Sequence, residues 1–352
     1  MNRYIYIFSI IFILTSCAHG VVSNEPESKP IIFQATVNTK GYEVTDDELD
    51  HFYATALTAR LLETRYATIE LFFKNVEFAR LGDYFYSNPQ YYRPANRPMS
   101  FIMYYPSEDE LGSTFNWNFN MKYNEEMKKY ELEWEYGNAI IMKNFSPNPE
   151  ISKQKDFLFG FAEMLPEDEW QNANGEITTA LLYHTLSQIE IQAKTDNANQ
   201  VCRIAGVKIA NVISKADLQS SESSPWILDD TETSTYIDEF DNDSIELGEG
   251  AKSVMNPSGG NAFLLPQSLT RWDPVEDPKN ENKGAYISVK LQVADLSGKI
   301  IYPESGQGYV WRAIPIYKQD VSYSWYEGEH YIYTLNFTAG YGYDDPQEIS
   351  NN

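Results

Sequence analysis

The stretch Ala180–Lys194, ALLYHTLSQIEIQAK, combines the alternating apolar pattern of a β-strand with a break in its middle. One face carries Ala180, Leu182, His184 and Leu186 at even positions, and from Ile189 onward the apolar residues stand at odd positions. Because strand side chains alternate between the two faces of a sheet, a slip of one position is typical of a β-bulge. The stretch therefore predicts a strand with a bulge, in a protein built from β-sheet.

His184 lies on the apolar face of this stretch, so it is either a site residue or a core residue. The remaining histidines, His19, His51 and His330, are scattered along the chain without the HxH or HExxH spacing of metal sites. We therefore predict that His184 is a core or bulge residue, hydrogen-bonded where the strand bends.

Strand patterns recur through the rest of the chain. They include IIFQATV (31–37), MSFIMYYP (99–106), FNWNFNMKY (115–123), KYELEWEYG (129–137), KDFLFGFAEM (155–164), RIAGVKIANVIS (203–214), FLLPQSL (263–269), AYISVKLQVAD (285–295) and HYIYTLNFTA (330–339). A helix is an alternative only at 57–66, and the polar region 217–260 is typical of surface loops around short strands. An aromatic content of 14% also favours strands. The fold class predicted from these patterns is all-β, built from β-sandwiches.

The first sixteen residues have the form of an export signal. Asn2 and Arg3 precede the apolar segment YIYIFSIIFIL (4–14), which is shorter than the roughly 20 residues of a membrane-spanning helix. LTSC (14–17) resembles the bacterial lipobox, which implies cleavage before Cys17 and acylation of that cysteine; a plain secretory peptide ending near Ser16 is the alternative. Two or more acyl chains anchor a protein stably to a membrane.

Domain organisation is predicted from the polar breaks. Residues 17–30 contain proline and acidic residues and predict a flexible tether. A second polar break, LPEDEWQNANGE (165–176), places a domain boundary near residue 172. We therefore predict a signal peptide at 1–16, a tether at 17–30, an N-terminal sandwich domain at 31–172 and a C-terminal sandwich domain at 173–352.

Charge and motif content exclude several classes of function. A formal charge of -24 over 352 residues disfavours nucleic acid and anionic membrane surfaces as partners. Neither a G-x-S-x-G elbow nor a nucleotide-binding glycine motif is present, so no cofactor is predicted. Cys202 is interpreted as a small buried apolar residue, because Cys17 is its only possible disulfide partner and is assigned to lipid.

Three weaker signals leave alternatives open. The acidic segment 238–250 offers oxygen ligands for calcium but lacks the order of an EF-hand loop, so a solvated loop is preferred. Carboxylate pairs for glycoside hydrolysis cannot be selected from 51 acidic residues. Four loop tyrosines offer either carbohydrate stacking or packing on the sandwich: Tyr84, Tyr86, Tyr91 and Tyr92.

Several segments of the second half resemble motifs of the fimbrillin family, in its Mfa-like branch, whose members are lipoprotein precursors of pilus subunits. ALLYHTLSQIEIQA (180–193) is similar to a family strand of the form apolar-x-F-x-H-x-L-S-x-I. The other matching segments are IAGVKIANV (204–212), FLLPQSLTRWDP (263–274) and WYEGEHYIYTLNFTAGYGYDDP (325–346). The order of lipobox, tether and strands also matches, although the resemblance is sharp only from about residue 156 onward.

The resemblance implies two tandem transthyretin-like β-sandwich domains and assembly with other pilus subunits by β-strand donation. In that family an arginine-specific protease removes the first strand, and a strand from a neighbouring subunit fills the groove. Arg60 and Arg65 follow the first predicted strand and are candidate processing sites, with ordinary surface arginines as the alternative. An anchor subunit would instead keep its lipid and its first strand.

We therefore expect a structural and adhesive fimbrial subunit with no enzymatic activity, exposed on the outer membrane through a lipid anchor. A tip or accessory role is favoured over a stalk role, because TAGYGYDDPQEISNN (338–352) is not accompanied by a long extra strand pair that would clearly serve as a donor. Its partners would be other pilus subunits, with a host or bacterial receptor or glycan as a further ligand. A cell-surface glycan-binding lipoprotein is the alternative.

Overall fold

The computed structural model describes residues 29–38, 45–61, 67–94, 99–111, 114–117, 121–124, 129–132, 140–162, 177–219, 226–240, 243–257, 260–316 and 324–349. Nearly all regular structure in these ranges is β-strand, which confirms the predicted all-β class. Four sheets are arranged in sandwich-like layers.

Sheet 1 contains nine strands. They are β1 (Phe33–Asn38), β2 (His51–Leu61), β3 (Ala67–Leu81), β4 (Tyr84–Ser87), β5 (Met99–Tyr105), β7 (Met121–Asn124), β8 (Lys129–Leu132), β10 (Leu158–Ala162) and β11 (Thr178–His184). Their order is β2-β5-β10-β11-β1-β4-β3-β8-β7, and β2 also pairs with β3. This extra pairing closes seven strands, from β2 round to β3, into a ring.

The ring encloses a hydrophobic core, called the ring core below. Its buried members come from all seven strands of the ring and from adjoining loops: Ile31, Phe33, Val37, Leu49, Phe52, Ala54, Ala56, Phe73, Phe78, Phe85, Met99, Phe101, Met103, Leu158, Ala180 and Leu182. Phenylalanine is the commonest residue in this core, because large aromatic side chains fill the interior of the ring and bury much apolar area.

Sheet 2 joins the two halves of the sequence. Its strands are β6 (Thr114–Trp117), β9 (Ile140–Ser146), β14 (Ala216–Gln219) and β15 (Trp226–Leu228), in the order β15-β14-β9-β6. A second core lies between sheet 2 and the outer face of sheet 1, and it includes Leu57, Tyr104, Phe145, Trp226 and Phe263. The outer faces of β2, β5 and β10 are thereby buried.

Sheets 3 and 4 face each other across the largest core. Sheet 3 contains β13 (Gln200–Ile213), β16 (Thr233–Glu239), β17 (Ile245–Glu246), β20 (Tyr286–Asp295), β21 (Ile300–Tyr302), β22 (Val310–Pro315) and β24 (Tyr343–Asp344). Sheet 4 contains β12 (Ser187–Lys194), β18 (Lys252–Ser253), β19 (Ala262–Leu264) and β23 (His330–Asn336). Both sheets supply the buried aliphatic residues between them, as a sandwich requires.

In the described ranges, helical structure is limited to short segments. They are α1 (Glu108–Leu111), α2 (Pro346–Ile349) and a 3-10 turn at Ile151–Lys153. Ser107 caps α1, because its hydroxyl accepts from the Glu110 amide while the Glu110 carboxylate accepts from the Ser107 amide at 3.2 Å.

The helical alternative for 57–66 is wrong for the described part, 57–61, which continues β2. Leu57 pairs with both β3 and β5, and residues 54–58 are buried on both faces of the strand. A strand buried on both sides shows a continuous apolar run, which periodicity alone does not separate from a buried helix.

The predicted bulge in a single strand is also wrong. The strand ends at His184 and a new one begins at Ser187, because β11 belongs to sheet 1 and β12 to sheet 4. The phase slip in the sequence marks the transfer of the chain from one sheet to another.

The predicted domain boundary at residue 172 lies outside the described residues and stays a prediction. On its two sides β10 and β11 are antiparallel partners, with Leu158 opposite His184. Sheet 1 therefore contains strands from both sides of the polar break, and so does sheet 2.

Candidate functional site

The first strand, β1, occupies a central place in sheet 1. It pairs in parallel with β11 over six positions, from Phe33 opposite Thr178 to Asn38 opposite Tyr183. On its other edge Phe33 lies opposite Phe85 of β4. β1 is therefore the connection between β11 and β4 in the ring, and we call the space it fills the β1 seat.

Backbone hydrogen bonds extend the pairing of β1 towards the N-terminus. The Ile31 amide donates to the Tyr91 carbonyl at 2.8 Å, and the Arg93 amide donates to the Lys29 carbonyl at 2.8 Å. On the opposite edge the Thr178 amide donates to the Ile32 carbonyl at 2.9 Å. Residues 29–33 are thus held along both edges, and residues 34–38 are held along the β11 edge.

Alternate side chains of β1 and the residues before it point into the ring core. Ile31 and Phe33 are fully buried and Val37 is 3% exposed, whereas Gln34 and Thr36 are exposed. The ring of Phe33 makes edge-on contacts with three other phenylalanine rings, at centroid distances of 5.4, 4.8 and 5.0 Å for Phe52, Phe78 and Phe101. The β1 seat is therefore an aromatic trough with unpaired backbone groups on either side whenever β1 is absent.

Arg80 supports the far end of β1, a role that no sequence pattern predicts. The Val37 amide donates to the Asp46 side chain, and the Arg80 guanidinium donates to the backbone carbonyls of Asp46 and Leu49. The same guanidinium lies over the Phe85 ring at 4.8 Å. Arg80 thereby connects the loop before β2 to the strand that flanks β1.

The outer surface beside the β1 seat carries exposed apolar residues. Ile177, Leu181 and Tyr183 are 38%, 39% and 44% exposed, and the latter two alternate along β11 with core residues. Such residues are normal on a protein surface when scattered, so this stripe alone defines no site.

The predicted lipidation and processing residues are mostly outside the described part of the chain. Cys17 and Arg65 lie outside it, and of Arg60 only the backbone is described, in β2 opposite Thr68 of β3. β2 is central in the ring, because it pairs with both β3 and β5. A cut after Arg60 or Arg65 would therefore separate β2 as well as β1 from the rest of the chain.

The acidic segment 238–250 is not a loop throughout, in contrast to the preferred interpretation. Asp238 and Glu239 end β16, and Glu239 lies 2.5 Å from the Lys290 ammonium. Glu246 lies in β17 and pairs with Arg203 at 2.9 Å, while 241–242 are outside the described residues. Among the described residues, no three histidine, cysteine, aspartate or glutamate side chains form a group that could hold a metal ion.

The four tyrosines form no continuous exposed surface, and two of them, Tyr84 and Tyr86, lie in β4 and not in a loop as predicted. Tyr84, Tyr86 and Tyr91 are partly buried, and Tyr91 packs on the Phe73 ring at a centroid distance of 4.8 Å. Tyr92 is 50% exposed. The packing interpretation is confirmed for Tyr91.

His184 is a core residue hydrogen-bonded at the end of β11, as predicted. Its Nδ1 lies 2.6 Å from Oδ2 of Asp156, and both side chains are almost fully buried. The following residue, Thr185, bonds to the Phe157 carbonyl through its amide and its hydroxyl, and its own carbonyl accepts from Trp226 at 2.7 Å. These bonds satisfy the backbone where the chain leaves sheet 1.

Cys202 is buried at 3% exposure in the core between sheets 3 and 4, which confirms its interpretation as a buried side chain. Burial raises the pKa of its thiol to about 12. Each helix in the described ranges falls short of the length and apolar character that a membrane crossing requires.

Comparison by sequence with protein-family models and with curated proteins found no match. Solved structures similar to the chain include a protein provisionally named as a cell adhesion protein from Bacteroides uniformis, at 13% identity and a TM-score of 0.44, covering 88% of this chain and 93% of that one. The tip fimbrial protein Mfa3 from Porphyromonas gingivalis, with a C-terminal truncation, matches at 10% identity and a TM-score of 0.34, covering 87% of this chain and 94% of that one.

At such identities and TM-scores the likeness decides neither the activity nor the partners of this chain.

Proposed function

We propose that the chain is a structural and adhesive fimbrial subunit that joins other subunits by β-strand addition at the β1 seat. The observation that carries the proposal is the position of β1, which alone links β11 to β4 in the ring. A strand in that position can be exchanged without altering the remaining pairings of the ring.

Strand addition at the β1 seat is favoured because an empty seat would leave backbone groups unpaired and apolar side chains without contacts. Without β1, six positions of β11 lose their parallel partner. The three phenylalanine rings around Phe33 lose their central contact as well. A donated strand restores both the backbone hydrogen bonds and the apolar packing, which is the general basis of β-strand addition.

The β1 seat also defines what a donated strand must look like. The positions equivalent to 31, 33 and 37 must be apolar because they enter the ring core, and the position equivalent to Phe33 must carry a large side chain. The positions equivalent to 34 and 36 face outward and can be polar.

We further propose an accessory or tip role in which β1 stays covalently attached to the chain and is displaced from its seat by the donated strand, not removed by cleavage. A cut after Arg60 or Arg65 would remove β2, which pairs with β5 over six positions, and would open the ring at two places. The 39–50 segment, where a cut would free β1 alone, contains no arginine. N-terminal sequencing of the cell-surface protein tests this, since a start after either arginine would contradict it.

An exchange experiment tests the β1 seat directly. A site for a sequence-specific protease, inserted between residues 39 and 44, allows β1 to be cut from the folded chain. A labelled peptide of residues 29–38 should then replace the cut strand, whereas the same peptide with Phe33→Asn should not bind. Failure of the unaltered peptide to bind would refute exchange at this seat.

Attachment to the outer membrane through Cys17 is part of the proposal. Its support is the lipobox-like LTSC at 14–17. Radioactive palmitate fed to the cells should label the protein, and Cys17→Ser should abolish the labelling. An unlabelled wild-type protein would leave the secretory-peptide alternative in its place.

A further inference from the structure

A buried ion pair, Lys208 with Asp345, lies on the outer face of sheet 3, which is turned away from the core between sheets 3 and 4. The residues around it form a small cluster of Ala210, Trp272, Tyr286 and Ala313, which Tyr343 covers through an edge contact with Trp272 at 6.0 Å. Lys208 of β13 projects to this face and is 4% exposed. Asp345, directly after β24, is 1% exposed.

The two charged side chains are in contact, and a third lies beside them. Nζ of Lys208 is 3.3 Å from Oδ2 of Asp345 and 2.8 Å from Oε1 of Glu348. Nζ also lies over the Trp311 ring, 4.1 Å from its centroid. The lysine and the aspartate are almost fully buried, whereas the glutamate side chain is half exposed.

The remaining oxygen of Asp345 is held by two donors. Oδ1 accepts from the Tyr286 hydroxyl at 2.8 Å and from the backbone N–H of Gln347 at 3.0 Å. Burial, followed by the charge of Asp345, raises the pKa of Tyr286, so that its hydroxyl remains a donor at neutral pH. One carboxylate oxygen is thus fixed between two donors, while the other faces the amine.

We propose that Lys208 and Asp345 become joined by an amide bond between Nζ and Cγ, with Glu348 as the proton carrier. The geometry supplies the three elements that such a condensation needs: a nucleophile in contact with the carboxyl group, donors on the oxygen where charge develops, and a carboxylate within reach of Nζ. Burial also favours the product, since two desolvated charges are replaced by a neutral amide.

The reaction balances without any added reagent. Glu348 takes one proton from Nζ and passes it to Oδ2, so that the carboxyl group is neutral when the nitrogen lone pair attacks Cγ and Oδ1 takes up the negative charge. Collapse of this intermediate breaks the bond from Cγ to Oδ2, and a second proton from the nitrogen converts the departing hydroxide to water, which leaves one hydrogen on the amide nitrogen and returns Glu348 to its ionised form. The lysine and aspartate side chains become one amide plus one water molecule, with no oxidation or reduction.

The bond would tie the C-terminal segment to the middle of sheet 3. Its two ends are 137 positions apart in the sequence, and β24 is otherwise paired at two positions, Arg312 opposite Asp344 and Ala313 opposite Tyr343. A covalent tie across a long loop restricts the unfolded chain more than one across a short loop. This inference is independent of the proposed function.

Tryptic mass mapping of the purified full-length protein tests the proposal. Trypsin cuts after Arg203, Lys215 and Lys318, and no lysine or arginine follows residue 318. The proposal expects peptide 204–215, uncut after Lys208, joined to peptide 319–352 with the loss of one water. Recovery of 204–208 and 319–352 as separate peptides from the folded protein would overturn it.

Three variants separate the covalent bond from a simple ion pair. Lys208→Arg keeps the charge but should leave the peptides unjoined, and Asp345→Asn should join them with the loss of ammonia instead of water. Glu348→Gln, at a half-exposed position, should fold and slow the joining by about 10²-fold or more. If Glu348→Gln joins the two peptides at the wild-type rate, the role of Glu348 is refuted. The peptide map of the wild-type protein tests the amide bond by itself, so the test does not depend on whether each variant folds.

Discussion

Replacement of Phe33 by alanine removes the central side chain of the β1 seat. Phe33 is fully buried, and its ring contacts the rings of Phe52, Phe78 and Phe101 from three directions. The neighbouring side chains belong to three other strands of a closed ring, so they have little freedom to move into the space. The substitution therefore creates a cavity as well as losing apolar contact.

The expected loss of stability is about 3–5 kcal/mol, the range for a buried phenylalanine cut back to alanine. With a urea dependence of about 2–3 kcal/mol per molar, the unfolding midpoint should fall by about 1–2.5 M. Gln34→Ala is the matched control, because Gln34 is the next residue of β1 and faces solvent. Its effect should stay within about 0.5 kcal/mol.

A second measurement separates local from global destabilisation. In the chain cut between residues 39 and 44, β1 is held only by non-covalent contacts, and its release can be followed by a label. Phe33→Ala should speed release by about 10²–10⁴-fold, since each 1.4 kcal/mol corresponds to a factor of ten. Phe263→Ala, which removes one buried ring from the core between sheets 1 and 2, should lower overall stability without a comparable effect on the release of β1.

The reasoning fails on either of two results. A Phe33→Ala midpoint within experimental error of the Gln34→Ala midpoint would show that the aromatic trough contributes little to holding β1. Equal release rates for Phe33→Ala and Phe263→Ala would show that β1 leaves only when the whole chain unfolds, which contradicts a separately exchangeable strand.

Three further perturbations have defined outcomes. Gly160→Ala would place a methyl group 2.3 Å from a backbone oxygen of β11, so thermal melting should show a loss above about 2 kcal/mol, while Gly250→Ala, with open space around it, should be nearly neutral. His184→Ala should lower the unfolding free energy, measured by urea unfolding, by about 3 kcal/mol, because it leaves Asp156 buried without this partner. The double variant His184→Ala with Asp156→Ala should lose less than the sum of the losses of the two single variants. Burial raises the pKa of Cys202 from 9.0 to about 12, so the unfolded chain deprotonates first and stability should fall as pH rises between these values; in Cys202→Ala this decline, measured by urea unfolding, should be smaller.

The sequence predicted the strands and missed the connections between them. The patterns at IIFQATV (31–37), AYISVKLQVAD (285–295) and HYIYTLNFTA (330–339) match β1, β20 and β23 within a few residues. Period-two alternation is a local property, so it identifies a strand wherever one face is buried. Which strands pair with each other in a sheet depends on residues far apart in the sequence, so the period of a single strand does not predict it.

The same limit explains the residues that were missed. Arg80 and Asp46 are 34 positions apart, and Lys208 and Asp345 are 137 apart, so neither pair forms a motif. Lys208 stands in the strand RIAGVKIANVIS (203–214) like an ordinary outward-facing lysine. Only the position of the C-terminal segment over sheet 3 makes it a buried residue.

The chain completes its own sheets with strands from distant parts of the sequence. β11 closes sheet 1 beside β1, and β14 and β15 extend sheet 2 beside β9, so each half satisfies backbone groups and apolar surface of the other. Addition of a strand from another molecule uses the same hydrogen bonds and pockets. It differs in the free energy of association, about 4–15 kcal/mol, which a covalently attached strand does not lose. With equal fit the attached β1 therefore prevails, and exchange between subunits requires either that β1 be cut away or that the donated strand fill the trough around Phe33 better than β1 does.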